Sequence, residues 1–266
     1  MTAIALTIAG SDSGGGAGIQ ADLKTFSALG VYGASAITAI TAQNTKGVTG
    51  VEDISASMVA AQMEAVLSDL DVNAVKIGMV SRIETIKIIA EGLLGFGRPI
   101  VVDPVMVATS GDRLLQPDAV ETLKRELFPL ALIVTPNLPE AAILTGRDIA
   151  TDEPEMRLQA EIILATGAKA VLIKGGHGLG DRSTDLLFSN GSVHRLPALR
   201  VTTTHDHGTG CTLAAAITAH MALGYDLLKA VREAKAYLHA ALEAGNGLAV
   251  GQGRGPVHHF HRWWRS

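Results

Sequence analysis

Residues 205–212 have the sequence His-Asp-His-Gly-Thr-Gly-Cys-Thr and lead directly into the apolar run 213–219. Glycines before an Ala/Leu/Ile helix leave backbone N–H groups unpaired at the helix start, and the helix dipole adds positive potential there. Such a terminus suits anions, and phosphate above all. Because the only cysteine of the chain, Cys211, lies on this turn, the stretch predicts phosphate chemistry around an unusual polar group.

Outside this stretch, apolar strand-like segments alternate with segments of helical periodicity. Strands are predicted at residues 4–9, 36–43, 48–54, 74–77, 100–102, 132–135 and 170–173. Helices are predicted at residues 18–29, 83–94, 117–127, 139–144, 155–165, 211–223 and 227–243. A further helix begins with Ser57 as its cap and ends at Leu70. The turn Asn190-Gly191 joins strands 185–188 and 192–196 in a hairpin.

This alternation predicts one α/β domain over residues 1–266, with a mostly parallel central sheet and helices on both faces. Ligands of such sheets bind beyond the carboxyl ends of the strands. The residues with chemical potential at the predicted strand ends are Gly10, Gln43, Gly78, Asp103, Asn137 and Lys174. We therefore expect the functional site at this edge of the sheet.

Composition narrows the partners that we expect. The 266 residues are 47% hydrophobic and 18% charged, with a formal net charge of -4, which is typical of a folded globular protein. Because no long basic run is present, nucleic acid and anionic membranes are not expected as partners. A single cysteine forms no internal disulfide, and the first residues lack a basic leader, so we expect a cytoplasmic protein.

The glycine-rich loop 10–18 lies between a predicted strand and a predicted helix. No Gly-Lys-Ser/Thr closes this loop, and it lacks the Gly-x-Gly-x-x-Gly spacing, so it matches neither a P-loop nor a dinucleotide-binding turn. The loop is either a tight strand-to-helix turn or a place where the backbone approaches a small ligand closely.

Gln43 ends the second predicted strand. Its amide offers a hydrogen-bond donor beside an acceptor, which matches the edge of an aminopyrimidine ring. The alternative is a polar residue that only terminates the strand.

Four residues form a candidate phosphate and magnesium site. Asn137 and Glu140 lie three residues apart at a strand-to-helix junction, and Asp103 follows a buried strand. Their oxygens suit Mg²⁺ directly or through water, although a helix cap and a turn explain the same spacing. Lys174 follows another strand and is either a cation for phosphate or a solvated turn lysine.

Cys211 allows three interpretations: a small buried residue, a covalent nucleophile beside His205 or His207, and a proton acceptor for a substrate hydroxyl. The last two need a lowered thiol pKa, which a helix N-terminus favours. The three histidines at 258, 259 and 261 lack cysteine or carboxylate partners nearby in the sequence, so we interpret them as structural rather than metal-binding.

Taken together, these motifs resemble those of the bacterial hydroxymethylpyrimidine/phosphomethylpyrimidine kinases of the ribokinase-like superfamily. The resemblance runs nearly end to end through Leu-Thr-Ile-Ala-Gly-Ser-Asp, Gly-Ala-Gly-Ile-Gln-Ala-Asp-Leu-Lys-Thr-Phe, Thr-Ala-Gln-Asn-Thr, Val-Lys-Ile-Gly-Met, Thr-Pro-Asn-Leu-Pro-Glu-Ala, Lys-Gly-Gly-His, His-Gly-Thr-Gly-Cys-Thr and Gly-Pro-Val-His-His-Phe-His. It implies a ribokinase-like three-layer sandwich that uses ATP and Mg²⁺ to phosphorylate 4-amino-5-hydroxymethyl-2-methylpyrimidine to its monophosphate and then to the diphosphate, in thiamine biosynthesis. The alternatives are a pyridoxal kinase of the same superfamily, a non-catalytic regulator that binds thiamine precursors and, more distantly, a thiol hydrolase.

The resemblance also implies roles for individual residues. The implied pyrimidine contacts are Gln43, Gly10, Asp22, Met79 and Val105. The implied catalytic turn is Gly208, Thr209, Gly210 and Cys211, with Cys211 where the sugar kinases of the superfamily carry an aspartate base. The implied ATP and phosphate contacts are Lys174, Asn137, Asp103 and His207, and the implied magnesium ligands are Glu140 and Asn137. His205-Asp206 stands where the family often has Asn-Thr, which makes Asp206 a candidate second acid near the phosphates. We expect a homodimer.

Overall fold

The computed structural model describes residues 2–106, 117–177 and 180–264. The strands in these ranges are β1 (Ile4–Asp12), β2 (Tyr32–Asn44), β3 (Gly47–Asp53), β4 (Ala74–Ile77), β5 (Ile100–Val102), β6 (Ile133–Val134), β7 (Ala170–Ile173), β8 (Arg182–Ser189) and β9 (Ser192–Leu199). The α-helices are α1 (Gly18–Ala28), α2 (Ala56–Leu67), α3 (Ile83–Leu93), α4 (Pro117–Glu126), α5 (Leu138–Thr145), α6 (Glu153–Leu164), α7 (Thr209–Ala222) and α8 (Leu227–Gly245). Every predicted strand and helix is present, with ends that differ by a few residues.

The strands form one sheet in the order β3-β2-β1-β4-β5-β6-β7-β8-β9. In this order, the six neighbouring strands β2, β1, β4, β5, β6 and β7 pair in parallel. Antiparallel pairs flank them, with β3 on β2 at one side and β8 and β9 after β7 at the other. Because the chain builds outward from β1 first in one direction and then in the other, the order reverses between β1 and β4, and a ligand crevice is expected at such a point.

Helices cover both faces of this sheet, as predicted. Val75 and Ile77 of β4 pack with α2–α6 in one core, of which Ile89 of α3 is a fully buried member. Val101 of β5 and Leu172 of β7 pack with α7 and α8 in the other, and α1 joins α7 on that same face. The fold is therefore a three-layer α/β sandwich, which confirms the predicted fold class.

The helix starts follow from local hydrogen bonds. The side chain of Ser55 accepts a hydrogen bond from the Met58 amide and caps α2. The predicted cap at Ser57 is wrong, because Ser57 lies within the first turn. Gly208 precedes α7 with a φ of 80°, a conformation that glycine adopts without steric cost. Within the described ranges, no helix is long and apolar enough to cross a membrane.

Candidate active site

A cavity of about 750 Å³ lies at the carboxyl ends of the parallel strands, beside the start of α7. All but one of the residues singled out as contacts or ligands line it: Gly10, Gln43, Met79, Val105, Asp103, Asn137, Glu140, Lys174, His207, Gly208, Thr209, Gly210 and Cys211. Parallel strands end at one edge of the sheet, and this edge brings together residues that are far apart in the sequence.

Asp22 is the exception, because its side chain is fully buried below the cavity. One carboxylate oxygen accepts a hydrogen bond from Thr7 Oγ1 at 2.6 Å and lies 2.7 Å from Lys76 Nζ. Burial raises the pKa of Asp22, and Lys76 offsets only part of this effect. In this structure Asp22 is held in a buried ion pair with Lys76, and the pyrimidine contact at Asp22 stays a prediction. A lysine inside a fully buried strand was the sequence signal for this pair, because such a charge needs a partner.

Lys174 joins the two carboxylates of the predicted phosphate site. Its Nζ lies 2.8 Å from Asp103 Oδ1 and 3.7 Å from Glu140 Oε2, and Thr135 Oγ1 donates to Asp103 Oδ1 at 2.9 Å. Although burial disfavours the charged form, Lys174 and then Lys76 lower the pKa of Asp103 below its usual range. Lys174 is therefore a buried cation held at the cavity wall and not a solvated turn residue.

Asn137 and Glu140 form a reciprocal cap at the start of α5. Asn137 Oδ1 accepts from the Glu140 amide at 2.8 Å, and Glu140 Oε2 accepts from the Asn137 amide at 2.8 Å. Burial raises the pKa of Glu140 to about 7, because the nearby Lys174 offsets only part of the desolvation. The cap interpretation is confirmed, and the same two side chains also line the cavity, so the cap positions candidate metal ligands.

The first turn of α7 lies against this charged cluster. A Cβ atom built on Gly210 would lie 3.3 Å from Lys174 Nζ and 3.6 Å from Asp103 Oδ2. The absence of a side chain at Gly210 therefore lets the lysine approach the N–H groups at the helix start. A cation and a helix N-terminus at one point form a strong electrostatic site for phosphate oxygens.

The pKa of Cys211 differs from the expectation. Burial raises the pKa of its thiol to about 11; Lys76 opposes the rise, whereas Asp22 and Asp103 add to it. The sequence argument considered only the helix terminus, which lowers a thiol pKa. The desolvation and the two carboxylates behind the helix outweigh that effect, so the resting group is a thiol. A thiol in this state does not favour the covalent-nucleophile interpretation.

The loop 10–18 uses its own backbone groups internally. Asp12 accepts hydrogen bonds from the amides of Gly14, Gly16 and Ala17 at 2.8–3.0 Å, and β1 continues through Gly10 to Asp12. The middle of the loop is thus a tight turn organised by a carboxylate, and the two ends of the loop, residues 10–12 and 17–18, line the cavity. Asp12 itself was missed as a site residue, although an acid before a run of glycines is a signal for this arrangement.

His207 lies beside Gln43 and Asp12. Its Nε2 is 2.9 Å from Asp12 Oδ2 and 3.3 Å from the Gln43 amide. The carboxylate of the neighbouring Asp206 accepts two hydrogen bonds from the Arg254 guanidinium, and the one from Nε to Oδ1 is 2.8 Å long. The candidate second acid is therefore already neutralised by a cation from the C-terminal loop.

The C-terminal histidines act as packing groups. His259 Nε2 lies 3.1 Å from Thr212 Oγ1 on α7, and the backbone oxygen of His259 accepts from Tyr237 of α8 at 2.6 Å. Within the part of the chain that the structure describes, no group of three histidine, cysteine or acidic residues is arranged to hold a metal ion. These contacts agree with the structural interpretation of the histidines.

Comparison with known proteins places these observations in a family. A model of the phosphomethylpyrimidine kinase family matches residues 12–258. A hydroxymethylpyrimidine/phosphomethylpyrimidine kinase of Rhizobium meliloti (strain 1021) is 71% identical over 266 residues, which is 100% of both chains.

Two solved structures share the fold. A phosphomethylpyrimidine kinase of Clostridium difficile 630 has a TM-score of 0.79 and 49% identity, covering 90% of this chain and 99% of that chain. A pyridoxal kinase of Bacillus subtilis, solved as an ADP complex, has a TM-score of 0.90 and 36% identity over 97% and 98% of the two chains. The resemblance seen in the sequence motifs is confirmed, and this chain is an enzyme that belongs to the phosphomethylpyrimidine kinase family.

Proposed function

We propose that this enzyme transfers the γ-phosphoryl group of ATP to the hydroxymethyl group of 4-amino-5-hydroxymethyl-2-methylpyrimidine, and then a second one to the resulting monophosphate. One observation carries this proposal. Gln43, which suits an aminopyrimidine edge, lines the same cavity of about 750 Å³ as Lys174 and the glycine start of α7. A ring recognised by the amide and a phosphoryl group held by the helix start therefore fit one continuous space.

Positioning and electrostatics supply the catalysis in this proposal. The N–H groups of Gly208–Cys211 and the ammonium of Lys174 face the place where negative charge moves between ATP and the acceptor oxygen. Although burial disfavours its charge, Asp103 and Glu140 raise the pKa of Lys174, so it stays a cation at every working pH. Fixed groups of this kind need no reorganisation during phosphoryl transfer.

The acidic wall of the cavity fits a magnesium ion. Asp103 Oδ2 and Glu140 Oε1 accept no hydrogen bond from the described residues, while their partner oxygens are held by Lys174 and the Asn137 amide. Carboxylate oxygens are preferred Mg²⁺ ligands, so Asp103 and Glu140, with Asn137 through water, would hold it. When bound, the ion neutralises charge on the ATP phosphates.

Cys211 is the proposed proton acceptor for the first transfer only. Its thiolate takes the proton of the hydroxymethyl group as that oxygen bonds to phosphorus. Because the thiol pKa is about 11, the reactive thiolate is a minor species at neutral pH. The second transfer needs no such base, since a phosphate oxygen is already ionised and nucleophilic.

A pyridoxal kinase is the second candidate, because the Bacillus subtilis pyridoxal kinase shares the fold at a TM-score of 0.90. Gln43 favours the pyrimidine, because pyridoxal lacks the ring amine that the amide would bind. A site built for a substrate hydrogen bond rejects analogues without it by about 10⁴-fold. ATP consumption with the pyrimidine, its monophosphate and pyridoxal, each alone and in competition, separates the two kinases. A regulator without turnover would consume no ATP with any of them.

The Gln43→Met variant tests the recognition step. We expect it to lose preference for the aminopyrimidine over pyridoxal, whereas Gln252→Met, an exposed glutamine outside the cavity lining, keeps it. Unchanged selectivity of Gln43→Met would contradict the role of this amide.

A further inference from the structure

Gln43 lies between two side chains with opposite hydrogen-bonding needs. One end of its amide is 3.3 Å from His207 Nε2, and the other end is 3.1 Å from Thr41 Oγ1. All three side chains line the cavity. The orientation of the amide therefore decides whether the site presents a donor or an acceptor at each position along the ring.

The Asp12 side fixes His207 as a donor. Asp12 Oδ2 lies 2.9 Å from His207 Nε2 and also accepts from the Gly16 and Ala17 amides at 3.0 and 2.8 Å. Burial opposes ionisation, but the hydrogen bonds from His207 and Ala17 hold the pKa of Asp12 below its usual range. An ionised carboxylate only accepts hydrogen bonds, so His207 Nε2 carries a proton.

The Thr41 side requires a donor from the amide. Thr41 Oγ1 lies 2.9 Å from the backbone oxygen of Ser11, and this carbonyl can only accept, so the single hydroxyl proton of Thr41 points at it. Toward Gln43 the hydroxyl therefore offers lone pairs. With the amide nitrogen toward His207, as placed in the structure, two N–H donors would face each other and Thr41 would need a second proton. In the opposite orientation the single Nε2–H of His207 is shared between Asp12 Oδ2 at 2.9 Å and Gln43 Oε1 at 3.3 Å in a three-centre hydrogen bond, and Gln43 Nε2 donates to Thr41, so no two donors face each other.

We infer that the Asp12–His207 pair holds Gln43 with Oε1 toward His207 and Nε2 toward Thr41, and so sets which ring the site accepts. This inference rests on the proposed function. The ring amine then lies on the His207 side, where Oε1 accepts from it, and the ring nitrogen lies on the Thr41 side, where Nε2 donates to it. Asp12 and His207 are positioning residues that act through Gln43.

A substrate analogue in which the donor and the acceptor are exchanged tests the selectivity. The 4-oxo analogue of the same pyrimidine carries a carbonyl in place of the amine and a ring N–H in place of the ring nitrogen, so its donor and acceptor are exchanged. We expect the wild-type enzyme to prefer the amine in kcat/KM by about 10⁴-fold. His207→Leu removes the N–H that orients the amide. We expect the preference of this variant for the amine to fall to about tenfold. The loss should appear in KM for the amine, while kcat changes less than about threefold. His207→Gln, whose amide nitrogen can donate in the same way, should restore most of the preference.

A measurement that needs no turnover decides the amide orientation in the wild-type enzyme. In the ¹⁵N- and ¹³C-labelled protein, the Gln43 side-chain NH₂ signals, identified by their loss in Gln43→Met, should show cross-relaxation to the Thr41 methyl group. Cross-relaxation to the His207 ring hydrogens without Thr41 would overturn the inference. A wild-type preference retained in His207→Leu would also overturn it. If the wild-type enzyme consumes no ATP with the aminopyrimidine, the proposed function fails, while the NMR measurement still decides the orientation.

Discussion

The carbonyl oxygen of Gly16 packs directly on the α carbon of Gly208, so that a Cβ atom built on Gly208 would collide with it. Gly16 belongs to the turn organised by Asp12, and Gly208 immediately precedes α7. The contact joins the two glycine-rich motifs of the sequence into one wall of the cavity. The contact explains the need for glycine at position 208, whereas a Cβ atom on Gly16 would meet the His207 ring.

Gly208→Ala should damage both stability and catalysis, because the new methyl group meets Gly16 and the φ of 80° strains alanine. The left-handed conformation alone costs about 1–2 kcal/mol. Gly224→Ala is the matched control, since Gly224 has a φ of 83° with nothing within 4 Å of its Cβ position. Urea unfolding and kcat should show a larger loss of stability for Gly208→Ala, and a loss of kcat in that variant alone. Equal effects would show that only backbone strain matters.

Cys211→Ala should slow the first phosphorylation more than the second. We expect a loss of about 10²-fold or more in the first step, as for removal of a general base, and less than about tenfold in the second. Because the thiol pKa is raised to about 11, kcat/KM of the first step should rise with pH up to that value, while the second step lacks this rise. Rates measured separately with the alcohol and its monophosphate check both points, and equal losses would exclude this division of roles.

Lys174→Met should reduce kcat by about 10²–10³-fold, as expected for loss of a preorganised charge. It also leaves Asp103 and Glu140 without their cation, and breaking a buried pair costs about 3–5 kcal/mol. The double variant Lys174→Met with Asp103→Asn removes a charge of each sign, so it should regain stability without regaining kcat. Thermal unfolding and single-turnover rates separate the two effects, and recovery of kcat in the double variant would assign Lys174 a structural role only.

A histidine of the C-terminal segment should lower the stability of the fold at acidic pH. Burial lowers the pKa of His259 from 6.5 to about 3. Below about pH 6.5 this histidine is therefore protonated in the unfolded chain but not in the folded protein. The free energy of unfolding then falls by about 1.4 kcal/mol for each pH unit of acidification. His259→Gln should flatten urea unfolding stability between about pH 6.5 and 4 relative to wild type. His239→Gln, on the more exposed part of α8, is the control for the effect of replacing a histidine by glutamine.

The order of strands and helices could be predicted because it depends on short-range patterns. Segments such as Ala74–Ile77 and Ile100–Val102 were predicted at their observed limits, since short segments rich in valine and isoleucine and bounded by turn residues favour strands. The prediction that Gln43, Asp103 and Lys174 lie at one edge of the sheet was correct, because parallel strands have their carboxyl ends at the same edge.

The homodimer stays a prediction, which light scattering of the purified enzyme checks.

The errors have a common physical cause. The expected pKa of Cys211 was in the wrong direction because desolvation depends on what packs behind α7, and Asp22 and Lys76 come from distant parts of the sequence. The contact of His207 with Asp12 was missed for a similar reason, since the two residues lie 195 positions apart, and the assignment of His207 to phosphate stays a prediction. Sequence spacing does not reveal such pairs.

The sequence by itself determined the element order, the glycine-rich start of α7 and the family, because these depend on local periodicity and contiguous motifs. Only the tertiary structure decided how the groups in the cavity are charged and oriented. It placed Gly16 against Gly208, raised the pKa of Cys211 and brought His207 and Thr41 to opposite ends of the Gln43 amide. Burial and hydrogen-bond balance depend on all neighbours in space, and those neighbours are assembled only when the chain folds.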